Sequence, residues 1–451
     1  MPHLIISIIG VLITILLVVG VHELGHFLVA KLSGIKVLKF SIGFGKTLFS
    51  WHDKSGTEYI LAAIPLGGYV KMLDEEEDAV PENEKHLAFN RQPIYKKFAV
   101  IAAGPASNLL FAFFIYWLLF IIGFTSVAPI IGKIEPHSIA EQAGLHAQQA
   151  IISVDHQETH NWMSVIVDIL SRTGDKNTLL IAAKDIHTNN IKNYDLNLTN
   201  WHMDDLRPDP LLSLGIGIYE PVIPNVIGKV MPDSPAEKAG LRSGDQIIAV
   251  NKLPTGDWIS LVQKFTTHPG ETFLFTVKRH KKTLNLPITI GIMNPIFSHK
   301  YGYVGMTPAF EWPKDMLISN QYSPLNAASH AWADVKLFTT MNIIVFEKML
   351  TGKISLESLG GPITIFESAG SALNNGFIPF LSFLAFLSIS IGIINVIPIP
   401  GLDGGHLLFQ TIEFIFQRPL AQRAQLLLYR FGIIALFLLM MRALANDILR
   451  L

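Results

Sequence analysis

LIISIIGVLITILLVVGVHELGHFLVA, residues 4–30, decides how the rest of the chain is read. Residues 4–19 are almost entirely apolar and, with the turn that follows, are long enough to cross a bilayer as a helix. The same run carries His22, Glu23 and His26. An ionisable side chain at membrane depth costs on the order of 3 kcal/mol unless it is paired or ligated. On a helix, positions i and i+4 share a face, so His22 and His26 can offer two imidazoles to one zinc ion. Glu23 stands beside them, in place to take a proton from an activated water. A catalytic zinc site also needs a third protein ligand. That ligand must come from elsewhere in the chain.

Composition bounds the class. The chain has 451 residues, half of them hydrophobic and 16% charged, with a net charge of −1 and no cysteine. It is too apolar for a soluble enzyme of this size and too polar for a transporter bundle, so part bilayer and part soluble domain fits best. No basic stripe speaks for nucleic acid as a partner. Without cysteine, disulfides, CxxC metal sites and thiol nucleophiles are excluded.

Three segments, 4–24, 98–123 and 377–397, read as spans, and a fourth at 425–445 is interrupted only by Arg430. The first lacks a basic leader and a small-x-small cleavage site, so it reads as an uncleaved span. No Lys or Arg precedes it, whereas the 31–97 loop carries ten, among them Lys31, Lys36, Lys39, Lys96 and Lys97. The positive-inside rule puts that loop in the cytoplasm and 124–376 outside. The stretch after the third span, with Arg418 and Arg423, returns to the cytoplasm. Residues 336–350, KLFTTMNIIVFEKML, are short and broken by Glu347 and Lys348, and read as an amphipathic surface helix. A metal transporter would need ionisable residues on several spans, and the second and fourth offer only Arg430.

The external region repeats itself. Residues 130–162 align without a gap to 226–258, with fifteen of 33 positions identical, including Gly132/Gly228, Pro136/Pro232 and Trp162/Trp258. Each copy reads as a strand, a helix start at Ser138 or Ser234, a Gly-Leu stop and an Ile-Ile-x-Val strand. The second copy, Ala239 to Asn251, matches the AGLxxGDxIxxVN stretch of PDZ domains. In the first, Gln148-Gln149 replaces Gly244-Asp245, so its turn is expected to differ. SLGIG (213–217) and GYVGM (302–306) are candidate carboxylate loops. Between the first two spans, 37–72 reads as short strands punctuated by glycines, lying at or dipping into the membrane. The acidic run Asp74 to Asp78 reads as a solvated loop.

The third ligand is sought in NVIPIPGLDGGH, residues 395–406. Pro398 and Pro400 must end the third span's helix, and freed backbone is tolerated at that depth only where protein encloses it. The first and third spans both run outside to inside, so HELGH and Asp403 fall at one depth. Counting 336–350 as a span would separate them.

With these residues in hand, the chain resembles the site-2 proteases, membrane-embedded zinc metalloproteases that cut transmembrane segments. Its two PDZ copies and IGFGK, IPLGGYVKM and LDGGHLLF are similar to the tandem-PDZ branch of Gram-negative inner membranes. The resemblance implies one zinc per chain on His22, His26 and Asp403, with Glu23 as base. It implies that Asn395, with Pro398 and Pro400 beside it, lines the substrate site. It further implies that Gly43-Phe44-Gly45 pairs with an unwound substrate, as in strand addition. The PDZ pair would act as a size filter, admitting single-span proteins whose external domain has been removed, such as a trimmed anti-sigma factor or a remnant signal peptide. Peptide C-termini are candidate PDZ ligands, and a monomer is expected.

The expected fold is therefore a polytopic α-helical membrane protein with four transmembrane helices, a membrane-associated β region and two α+β PDZ-like periplasmic domains. The segments are 1–30, first span; 31–97, cytoplasmic β region; 98–123, second span; 127–220 and 221–309, PDZ-like domains. There follow 310–376, a periplasmic helical linker; 377–403, third span; 404–424, cytoplasmic loop; and 425–446, fourth span.

Overall fold

A computed structural model describes residues 2–76, 79–204, 208–293, 300–417 and 422–450. Glu77, Asp78 and Arg418 lie outside the described residues. Helix α1 (Pro2–Leu32) carries the HELGH stretch in its second half and stops where Gly34 turns left-handed at φ 78°. Lys31 in its last turn complements the helix dipole and pairs with Asp53 at 2.7 Å.

The glycine-rich stretch that follows forms two long strands rather than several short ones, β1 (Val37–His52) and β2 (Glu58–Met72), paired antiparallel. Both bend sharply. β1 turns at Gly43 and Gly45, with φ of 92° and 85°, and β2 turns at Gly67, φ 143°, conformations open to glycine and costly for other residues. The bends fold the hairpin onto itself. Residues 39–42 pair on one side with 68–71 and on the other with 58–61, whose far side pairs with 49–52 around Leu61, Ile60 and Tyr59. Among the described residues the outer edge of 68–70 has no strand partner.

Helix α2 (Ile94–Ile122) lies along α1 through small residues. Gly25 faces the Ala103 carbonyl and Ser107, and the Ser107 hydroxyl donates to the Val21 carbonyl at 2.8 Å.

The repeat in the sequence is a repeat in space. In the first copy, Ile131–Ile134 pairs with Ile216–Ile218, beside a four-stranded sheet ordered 157–158, 149–154, 178–185, 191–197. Helices α3 (Ile139–Gln142), α4 (Trp162–Ser171) and α5 (Pro210–Leu214) complete it. In the second, Ile227–Val230 pairs with Met306–Pro308 beside the sheet 253–254, 246–250, 272–279, 282–289, with α6 (Pro235–Lys238) and α7 (Trp258–Thr266). Ser138 and Ser234 cap the equivalent helices through Glu141 and Glu237 amides, both at 3.2 Å. Each copy closes over its own apolar core, centred on Ile151, Ile169 and Leu196 in the first and on Ile247, Phe265 and Phe275 in the second.

The turn expected to differ between the copies does not. Gln148 adopts φ 65° where Gly244 has 86°, and each amide donates at 2.7 Å to the matching carbonyl, Ile131 or Ile227. What changes is the polar anchor behind it. Asp245 is fully buried and held by two Arg279 nitrogens at 2.7 Å, whereas Gln149 instead donates to the Tyr194 hydroxyl at 2.6 Å.

After the repeats, α8 (Pro324–Leu350) incorporates the 336–350 stretch into a longer helix packed on α2, with Ala327, Ala331 and Val335 buried. Helices α9 (Pro362–Asn374), α10 (Phe377–Val396), α11 (Asp403–Phe416) and α12 (Gln422–Arg450) follow. The third long apolar helix stops at Val396, just ahead of the prolines expected to end it, so the segment drawn as 377–403 is helical to 396 and helix resumes at Asp403. The stretch expected as a loop from 404 carries the fourteen-residue helix α11.

Among the described residues, four helices are long and apolar enough to cross a membrane: 5–32, 94–122, 377–396 and 423–450. With the β-rich units, they match the expected combination of spanning helices and β domains.

Candidate active site

Helix α1 presents His22 and His26 one turn apart, rings edge-on at 82° with centroids 4.8 Å apart. Gly104 of α2 lies directly against both rings, and any side chain there would displace them. Asp403 arrives from the N-terminus of α11. The glycines that follow it explain how: Gly404 packs on the carbonyls of Val396 and Ile397, and Gly405 on that of Ile399, so α11 folds back tightly onto the broken end of α10.

One Asp403 carboxylate oxygen, Oδ2, lies 3.0 Å from His22 Nε2 and 3.3 Å from His26 Nε2, and the two imidazole nitrogens are 3.2 Å apart. All three ligand atoms lie within 4.8 Å of one another, and the histidines are buried. That oxygen is buried without a hydrogen-bond partner.

The donor set fits zinc: two imidazoles and one carboxylate, leaving a place open. The supporting shell fits it too. His26 Nδ1 donates to the Val100 carbonyl at 2.7 Å, which leaves the Nε2 lone pair facing the cluster. The Asn108 amide lies 3.3 Å from His22 Nδ1, and its Oδ1 is buried without a partner. Turning that oxygen toward Nδ1–H satisfies both groups and frees the His22 Nε2 lone pair as well.

Glu23, next to His22 on α1, abuts the β region. A side chain at Gly68 would strike Glu23 Cγ and the Ser41 carbonyl, so the outer edge of 68–70 passes Glu23 at Gly68. The Gly43-Phe44-Gly45 stretch is not that edge. Gly43 and Gly45 make the bend of β1, while the Phe44 ring covers Gly67 and stacks on Tyr69 at 6.1 Å. Phe44 thus props the edge strand from behind.

Asn395 stands in the last turn of α10, part-exposed, and among the described residues makes no hydrogen bond to the cluster. Pro398 is exposed, and Pro400 is half-buried with its carbonyl against Gly432 of α12. Asn108 and Gly68 were not anticipated from the sequence. A lone Asn in the apolar second span was a usable signal, because a polar group at that depth needs a partner.

The model of Peptidase family M50 matches residues 10–439. The chain belongs to this peptidase family. It is 40% identical over 443 residues to the protease RseP of Yersinia pestis, spanning 98% of this chain and 97% of that protein. The same figures hold for the regulator of sigma-E protease RseP of Escherichia coli K12. A Vibrio cholerae protein named as a candidate zinc metalloprotease is 37% identical over 446 residues, 98% of each chain. This M50 member is a multi-pass membrane protease that depends on zinc.

Proposed function

We propose that the chain is an intramembrane zinc endopeptidase of the site-2 type, with its metal on His22, His26 and Asp403. The convergence of those three donors from α1 and α11, beside Glu23, carries the reading. Zinc, when bound, lowers the pKa of water toward neutrality and polarises a carbonyl. Glu23 takes the proton of the attacking water and returns it to the leaving amide nitrogen. The burial of His22 and His26 and the covering β region keep bulk water from the reacting groups.

A helical substrate hides its peptide bonds in its own i→i−4 ladder. The edge 68–70 offers replacement backbone partners, so an unwound segment adds to it as a further strand and lies across Glu23. Asn395 and the part-exposed segment Pro398–Pro400 border the substrate on the other side. Gly43-Phe44-Gly45 forms the bend beside that edge, and the exposed Phe44 offers the unwound chain a second contact there.

The Lys/Arg distribution supports a bacterial inner-membrane enzyme with HELGH near the cytoplasmic face and both repeats in the periplasm. The repeats follow the PDZ order of strands and helices. A cavity of about 430 Å³ lined by Gly132, Ile216, Gly217 and Leu211 gives the first a place for a peptide terminus. Together they filter substrates by size and admit single-span proteins already shorn of their external domain. Several relatives are named regulator of sigma-E protease, which favours a trimmed anti-sigma factor as substrate, with remnant signal peptides as a second class.

The deciding experiment is cleavage, in cells, of a tagged single-span reporter without an external domain, comparing the native chain with Glu23→Gln at equal expression. Cleavage by the native chain alone is expected. Equal processing by both would leave a membrane-anchored scaffold as the better reading.

A further inference from the structure

His406 follows Asp403 by three residues on α11, so the two share one side of the helix. While Asp403 meets the histidines, the His406 ring meets a different partner. The Tyr429 hydroxyl lies 2.7 Å from its Nδ1 and 2.9 Å from its Nε2. Tyr429 belongs to α12, and its ring packs edge-on against Phe409 at 5.5 Å. One turn further along α12, Gly432 sits directly on the Pro400 carbonyl, in the segment that delivers Asp403. The phenol is thus held from two sides, against α11 one turn beyond Asp403 and next to the segment that delivers Asp403. His406 is exposed, and it lies within electrostatic reach of Asp403 and His26.

Attack of water on a peptide carbonyl places a negative charge on oxygen, and donors aimed at that oxygen are worth several kcal/mol in a site shielded from water. Most side-chain donors around the cluster are committed. His26 Nδ1 gives its proton to Val100, and the Ser107 hydroxyl lies on the Val21 and Gly104 carbonyls. The His406–Tyr429 pair is not. When an imidazole N–H donates to the phenol oxygen, the phenol retains its own O–H to give.

We propose that Tyr429 donates a hydrogen bond to the oxyanion of the tetrahedral intermediate, and that His406 positions it. The inference rests on the protease reading above. The water oxygen bonds to the carbonyl carbon, the carbonyl π pair moves onto its oxygen, and the water proton goes to Glu23. Tyr429 keeps its proton and shares it with the oxyanion. As that pair returns, the C–N bond breaks, the nitrogen takes the proton from Glu23, and Tyr429 is released unchanged.

The test uses the full-length chain in detergent with the single-span reporter, measuring zinc content, kcat and KM, and inhibition by two probes. One probe is a phosphinic peptide, which mimics the tetrahedral oxyanion. The other is a hydroxamate peptide, which grips the metal without that geometry. Tyr429→Phe is expected to keep its zinc and its KM while kcat falls about 100-fold. Phosphinic-peptide inhibition weakens by a similar factor and hydroxamate inhibition does not. His406→Phe shows the same pattern more weakly, and His406→Asn recovers part of the loss because its amide can still donate to the phenol.

Native kcat in Tyr429→Phe would overturn the proposal, as would a loss of activity that tracks loss of zinc. The same signature in Asn395→Ala, with Tyr429→Phe unaffected, would move the donor to α10. Undiminished cleavage by Glu23→Gln would overturn the protease reading itself and this inference with it.

Discussion

Asn108 of α2 faces the outer imidazole nitrogen of His22 at 3.3 Å, and its own Oδ1 is a buried orphan unless it accepts that N–H. A metal ligand needs its other nitrogen fixed, and removing such a support typically weakens metal binding 10–100-fold. Asn108→Leu is therefore expected to lose zinc to a competing chelator at roughly tenfold lower chelator concentration or less. Asn108→Asp, which still accepts from Nδ1–H, should hold its zinc. Competition titrations on the purified protein decide this, and identical curves for the Leu variant and the native chain would refute the role of Asn108.

Asp403 contributes the only carboxylate of the cluster. Asp403→Asn replaces an anionic oxygen with a neutral amide, so zinc content and activity should fall together. Metal analysis beside reporter cleavage reads both. A full zinc load with full activity would remove Asp403 from the ligand set.

Gly68 touches Glu23 Cγ, Val19 Cγ1 and the Ser41 carbonyl, leaving no room for a side chain. Gly68→Val must push the edge strand or Glu23 aside, and displacement by about 1 Å is enough to cost on the order of 100-fold in rate. Zinc content should be unchanged, because the ligands lie elsewhere. Cleavage at the native rate in this variant would show that the edge does not position the reaction.

The pattern of what could be read in advance follows from where the physical constraint lies. Uninterrupted apolar runs announce spans directly, and ionisable residues inside them announce a site, which is how His22, Glu23 and His26 stood out, whereas Asp403, past the broken end of the third span, was reached through the common direction of two spans. Helix α11 did not, because DGGHLLFQTIEFIF mixes polar and apolar residues and follows two prolines that mark an ending. The edge at Gly67-Gly68 was silent because its role depends on having no side chain. The Gln148 turn was misjudged for the opposite reason. Local preference favours glycine at positive φ, but the Gln148 amide bonded to Ile131 and the packing around it hold the left-handed turn regardless.

The two repeats predict different responses to acid. Burial alone would raise the Asp245 carboxyl, yet the paired Arg279 nitrogens and the Arg242 amide hold it below the ordinary carboxylate range. A depressed carboxyl stabilises the folded state above its unfolded pKa of about 3.9, and that contribution is lost as pH falls through the folded value. In the first repeat, burial and the nearby Asp155 charge push Asp168 up to about 6. A raised carboxyl acts in the opposite sense: between pH 4 and 6 the folded state holds the extra proton, so stability falls as pH rises. Hydrogen exchange across Thr178–Asp185 and Thr272–Arg279 in the full chain should diverge on acidification from pH 6 to pH 4. The first repeat should tighten while the second holds steady and loosens only below pH 4, and Asp168→Asn should abolish the first trend. Arg279→Met, which strands a buried carboxylate, should cost the second repeat about 3 kcal/mol at neutral pH. Parallel behaviour of the two repeats would contradict this account.

Asp447, near the end of α12, caps a helix more than eighty residues before it. Its carboxylate accepts from the amides of Gly361 at 2.8 Å, Ile363 at 2.9 Å and Thr364 at 3.1 Å, and from the Thr364 hydroxyl. These are the amides that the first turn of α9 cannot satisfy internally. Asn446 donates to the Leu356 and Leu359 carbonyls, and Arg442 pairs with Glu357, so the end of α12 grips the whole 356–364 segment. Helix α9 in turn rests on α1 where Gly370 meets Ser7 and Gly10 meets the Ala369 carbonyl. Asp447→Ala should therefore loosen the start of α9 by about 2 kcal/mol, or roughly 30-fold in its opening equilibrium. Amide exchange at Ile363, Thr364 and Ile365 in nanodiscs measures this. The amides of His22 to His26 should keep native protection, because Gly104, Gly25 and Ser107 hold that half of α1 independently of α9. Faster exchange at both places would instead mean that α9 and the metal-bearing half of α1 open as one unit.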